Sequence, residues 1–143
     1  MLQTISNLLS ANKNILLIGR TDSGKTYFIN NDLIPFLEKE GKTITYVSSM
    51  NEEINPAVDS VVILDEFEIL EDKEFLEKEH PEERPYYSDE YMENINGWLA
   101  KAKKIKNPCI YIVTRNEQKE IDFVKQITSF SFKDDVEVVE FDK

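Results

Sequence analysis

The octapeptide Gly19-Arg20-Thr21-Asp22-Ser23-Gly24-Lys25-Thr26 constrains this chain more than any other segment. Before it, the apolar run Ile15-Leu16-Leu17-Ile18 reads as a buried strand, and after it Tyr27-Phe28-Ile29 continues as a helix. A loop of this composition, ending in Gly-Lys-Thr between strand and helix, is built to wrap a polyphosphate. Its successive backbone N–H groups curl inward, and glycine lets the chain approach without a Cβ clash. The helix start adds positive potential. Lys25 is expected to reach the β- and γ-phosphates and Thr26 to offer its hydroxyl to Mg²⁺. Gly19, Arg20, Thr21, Asp22, Ser23, Gly24 and Tyr27 complete the expected nucleotide-binding segment.

A second mark is Val61-Val62-Ile63-Leu64-Asp65-Glu66. An unbroken apolar run suits a strand covered on both faces, as in a parallel sheet, and ligands of such sheets gather at the carboxyl ends of the strands. Asp65 is placed to hold Mg²⁺. Glu66, beside it, is placed to orient and deprotonate an attacking water, so the pair points to hydrolysis rather than binding alone.

The length of 143 residues suits one α/β domain spanning 1–143. A single cysteine, Cys109, leaves no internal disulfide and no multi-cysteine zinc site. No stretch approaches ~18 apolar residues, and the first residues lack the basic start and apolar block of a signal peptide, so the expected compartment is the cytoplasm. The net charge of −11 is concentrated: residues 65–93 hold 13 acids and 3 bases, whereas the rest holds 15 and 14. That segment repels phosphate, so nucleic acid is expected at most indirectly. It is either a solvated acidic face or a docking surface for a basic protein partner.

Five strands are expected, at about 14–18, 43–48, 61–65, 109–114 and 136–141. Leu2, Ile5, Leu8 and Leu9 share one helical face. The helix after the phosphate loop runs toward Glu40, with Pro35 bending or splitting it near Asn31-Asp32 and Gly41 at its C′ position. Ser88 is a plausible cap for a helix over 88–106, whose apolar stripe includes Trp98 and whose end gathers Lys101, Lys103, Lys104 and Lys106. Residues 68–87 form a polar, acidic excursion. His80 within it has no companion ligand. The strand Cys109 to Val113 ends in Thr114-Arg115-Asn116. Thr114 and Asn116 have two readings, as contacts to the γ-phosphate or attacking water and as ordinary loop and helix-cap residues.

Together these pieces resemble the P-loop ATPases with an additional strand and a catalytic glutamate. Gly19 to Thr26, Gly41 to Val47, Val61 to Glu66, Asn96 to Leu99 and Ile110 to Thr114 are similar to the compact AAA+ core of replication initiators and helicase loaders. The same pieces are similar to DNA-pumping ATPases. The resemblance implies a three-layer fold with a parallel sheet of order 5-1-4-3-2. It also implies ATP and Mg²⁺ as ligands, Lys25 and Thr26 on phosphates and metal, Asp65 on the metal and Glu66 on the water. Thr114 or Asn116 would be the sensor. The chain ends just after the fifth strand, so the helical lid of those proteins is not expected here. Of its arginines, Arg20, Arg84 and Arg115, none falls clearly at the family's trans-acting finger.

The resulting expectation is an ATPase, slow in isolation, whose nucleotide state acts on a partner. Three alternatives stay open: a small-molecule kinase, a GTPase suggested by Thr114-Arg115-Asn116-Glu117, and a non-catalytic nucleotide-sensing adaptor.

Overall fold

The computed structural model describes residues 1–20, 24–47, 54–65, 89–114, 118, 122 and 136–141. At 91, 92, 95, 96, 98, 99 and 103 it describes the backbone alone. The elements run α1 (Leu2–Ser10), β1 (Asn14–Gly19), α2 (Lys25–Phe28), a π-helical turn (Ile29–Leu33) and α3 (Ile34–Lys39). They continue with β2 (Ile44–Val47), β3 (Val61–Leu64), α4 (Asp89–Lys103), β4 (Cys109–Thr114) and β5 (Val136–Glu140).

The strands form one sheet of order β2-β3-β4-β1-β5, and every neighbouring pair is parallel. Each strand lies within a residue or so of its expected span, because the apolar runs that build them are short and bounded by polar residues. β1 and β3 are buried along their whole length, as is β4 up to Thr114. That is what an apolar strand without alternation requires. The chain crosses the sheet one way between β1 and β2 and the other way between β3 and β4.

On one face, Ile15, Leu17, Val61, Ile63, Ile110 and Ile112 pack against Ile5 and Leu9 of α1 and Phe28, Ile29, Leu33 and Leu37 beyond. Leu2 and Leu8 lie against the same cluster, so the face shared by the four apolar residues of α1 is its packing face. Ser6 Oγ donates to Glu40 Oε1 at 2.6 Å, joining α1 to the end of α3. Ile63 is fully buried at the centre of this layer. Ile63→Ala is expected to lower unfolding stability by about 2–5 kcal/mol, measured by denaturant titration, because the sheet relaxes only partly around the cavity.

Both α1 and α3 end by the same device. The N–H groups of Asn12 and Lys13 bond back to Leu9 and Leu8, and those of Gly41 and Lys42 to Glu38 and Leu37. Each end needs a left-handed residue, supplied by Asn12 at φ 61 and Gly41 at φ 88. The expected C′ role of Gly41 is therefore observed. The α-helical run from Lys25 is interrupted around Asn31-Asp32, where Pro35 is expected to bend or split it. Proline has no N–H for the carbonyl four residues earlier, and its ring crowds that carbonyl. The helix widens into a π turn over Ile29–Leu33 and resumes as α3, with Pro35 in its first turn. Phe28 packs on Phe141 with ring centroids 5.1 Å apart, fixing the start of this helical run against the end of β5.

Candidate functional site

Gly24 is the N-cap of α2 and has φ 88. A Cβ built there meets nothing within 4 Å, so the backbone angle, not space, demands glycine. Lys25 follows as the first residue of α2 and is only 7% exposed. Its ammonium donates a hydrogen bond to Thr114 Oγ1. The β1–β4 register explains the meeting, since Gly19 is paired with Thr114. The loop leaves one strand where its neighbour ends, and Lys25 returns across that boundary. The expected lysine and one of the two candidate sensor residues thus share one place at the carboxyl end of the sheet.

Asp65 continues β3, and its N–H bonds to Val47 O at 3.0 Å. Side chains alternate across a strand, so Asp65 shares the face of Ile63, as Thr114 shares that of Ile112. Both belong to the face covered by α1, α2 and α3. Tyr46, paired with Ile63, lies on this face too, and its hydroxyl donates to Asp65 Oδ2. Asp65 is half-buried, and Tyr46 is 40% exposed. The expectation for Asp65 did not include this partner. Tyr46 read only as a β-forming residue, because its parity matters only once β2 is known to lie beside β3.

Around this centre, Thr26 and Tyr27 are exposed on α2, and Tyr27 O accepts from Asn31 Nδ2 at 3.1 Å. Arg20 Nη2 donates to Gln118 Oε1 at 3.3 Å, so this loop residue reaches past β4. Thr21, Asp22, Ser23, Glu66 and Asn116 lie outside the described residues. So do Ser88, His80, the 68–87 excursion and the side chain of Trp98. Among the lysines at the end of α4, Lys104 and Lys106 are exposed and Lys101 is half-buried, while the side chain of Lys103 is not described.

The donors suit Mg²⁺ with a phosphate ligand. Thr26 and Asp65 carry hard oxygen atoms, and Mg²⁺ on a nucleotide needs only one or two protein oxygens, with phosphate and water supplying the rest. The described residues contain no cluster of three or more His, Cys, Asp or Glu able to hold a metal alone, so a self-sufficient protein cage is not what they form. Two other buried groups are structural. Cys109 is buried, its thiol donating to Asn107 O at 3.3 Å and its N–H to Asn14 Oδ1 at 3.0 Å. Burial and then the neighbouring Cys109 push the Tyr111 hydroxyl well above the usual tyrosine range, so it keeps its proton.

Compared with known proteins, the chain matches no protein-family model and no curated protein. Among the described residues, no helix is long and apolar enough to cross a membrane.

Proposed function

We propose that this chain is a P-loop ATPase, related to the compact AAA+ core, that binds ATP with Mg²⁺ and hydrolyses it to ADP and phosphate. The observation that carries this reading is Lys25. A lysine side chain is rarely buried unless its ammonium has partners. Here it follows a left-handed glycine, starts a helix and meets Thr114 across the carboxyl ends of two parallel strands. That arrangement suits a polyanion lying over the sheet edge.

In the proposed reaction, the loop and Lys25 hold the triphosphate in line with a water. Glu66 accepts the proton of that water as its oxygen bonds to the γ-phosphorus. The bond from phosphorus to the β–γ bridging oxygen breaks, and ADP leaves with the electron pair. Lys25 offsets charge on the transferring phosphoryl group, and Thr114 fixes the ammonium. Thr26 and Asp65 would hold Mg²⁺, which would supply further charge neutralisation to the phosphates. Phosphate release from ATP with no second substrate tests this reading. Release that strictly requires an added acceptor would instead identify a kinase.

Turnover by the isolated chain is expected to be slow. Arg20 already reaches Gln118, and neither Arg84 nor Arg115 matches the usual position of a trans-acting finger. The acidic segment 68–93 is proposed to receive a basic activating partner. Such an attraction weakens as salt screens it. Pull-downs with a basic bait are expected to lose the chain at high salt or when 68–87 is removed. Salt-insensitive capture, or fast turnover by the dilute isolated chain, would contradict partner gating.

A further inference from the structure

We infer that Tyr46 is a positioning residue for the metal-holding carboxylate, an inference that rests on the proposed nucleotide site. Among the described residues Tyr46 lies on an edge strand of the sheet and is 40% exposed, so its place owes little to core packing. Its hydroxyl donates to Asp65 Oδ2. The β2–β3 pairing makes this contact a consequence of register. Tyr46 lies opposite Ile63, one strand over, and Asp65 follows two residues later on the same face. The long phenol spans that offset, whereas a shorter hydroxyl on β2 would not reach.

A carboxylate at the end of a strand turns about its Cα–Cβ and Cβ–Cγ bonds. A donor on one oxygen fixes the plane of the group and directs its remaining lone pairs. A phenol, unlike a lysine or arginine, brings no cationic group that would compete with a metal ion for the carboxylate. Partners of this kind set the affinity of a metal site, and their loss typically costs about 10–100-fold in metal binding or activity. Tyr46 does not touch the phosphates in this scheme. Its hydroxyl acts on Mg²⁺ through Asp65.

Tyr46→Phe removes the hydroxyl and keeps the ring. Binding of a fluorescent ATP analogue would be followed with EDTA present and then as Mg²⁺ is titrated in, for wild type, Tyr46→Phe, Asp65→Asn and the double variant. Thermal unfolding of each checks the fold. The expected result is unchanged metal-free binding by Tyr46→Phe, with the Mg²⁺ concentration for half-maximal enhancement raised about 10–100-fold. The double variant should behave like Asp65→Asn, because the tyrosine has nothing left to orient. Equal Mg²⁺ dependence of wild type and Tyr46→Phe would overturn the inference and leave the nucleotide site standing. An equal loss of metal-free and metal-dependent binding would also overturn it, by making Tyr46 a structural or nucleotide contact. Failure of the wild type to bind the analogue under any condition would overturn the site reading, and this inference with it.

Discussion

Lys25→Ala is expected to weaken Mg²⁺-ATP binding by roughly 30-fold to several thousand-fold while leaving the fold intact. The size follows from what the ammonium does. Removing one member of a close, desolvated charge pair costs about 2–5 kcal/mol, and each 1.4 kcal/mol is a factor of about ten in affinity. The proposed partner is the β/γ-phosphate pair, and Lys25 is the only lysine in the loop. The variant should fold, because Lys25 adds no apolar area to the core cluster and burying a charge is itself costly. Half-buried Thr114 loses one donor, which water replaces at its exposed side. Calorimetric titration of Mg²⁺-ATP into both proteins, with circular dichroism as the fold control, makes the measurement. Equal affinities would remove Lys25 from the site.

Glu66→Gln is expected to leave ATP affinity nearly unchanged and to slow hydrolysis by about 10²–10⁴-fold, the usual contribution of a positioned general base. The amide keeps the size of the side chain and its hydrogen-bonding reach but does not take the proton of the attacking water. The two variants therefore separate binding from chemistry: alanine at Lys25 lowers affinity, and glutamine at Glu66 lowers turnover at saturation. Single-turnover phosphate release with Mg²⁺ in excess distinguishes them. Unchanged turnover in Glu66→Gln would move the base elsewhere and favour a nucleotide-sensing adaptor.

Much of the fold was legible because apolar runs and turn residues are local signals. Ile15 to Ile18, Val61 to Leu64 and Cys109 to Val113 needed no tertiary information to be read as buried strands, and Gly41 announced its helix end. The sheet order was different. Periodicity fixes which face of a strand is buried, not which strand lies beside it, so the order came from the resemblance and agrees with the observed β2-β3-β4-β1-β5. The interruption near Asn31-Asp32 was legible from Pro35, but its π form was not. A proline inside a helical pattern permits a break, a kink or a widened turn, and packing of Ile29, Leu33 and Leu37 on the sheet favours keeping the helix whole.

The candidate site divides along the same line. Gly24 and Lys25 follow from adjacency in the chain, since a glycine at positive φ before a helix start is a local requirement. The meeting of Lys25 with Thr114 joins residues 89 positions apart, and that of Tyr46 with Asp65 joins residues 19 apart. Neither is visible until β1 is paired with β4 and β2 with β3. Thr114 was at least a candidate, because it ends an apolar strand in a hydroxyl. Tyr46 sat inside a β-forming run, where a tyrosine is ordinary.

The most direct test of the account is a thermal-unfolding panel of the wild-type chain with ATP, ADP, GTP and GDP, each with and without Mg²⁺, and Lys25→Ala alongside. A ligand at ~100 times its Kd adds about 2.7 kcal/mol to the folded state, enough for a shift of several degrees in Tm. A clear rise with Mg²⁺-ATP is expected in the wild type, and a much smaller one or none in Lys25→Ala. A wild-type Tm that does not move with any of the nucleotides at millimolar concentration, or that moves equally in Lys25→Ala, would contradict the account.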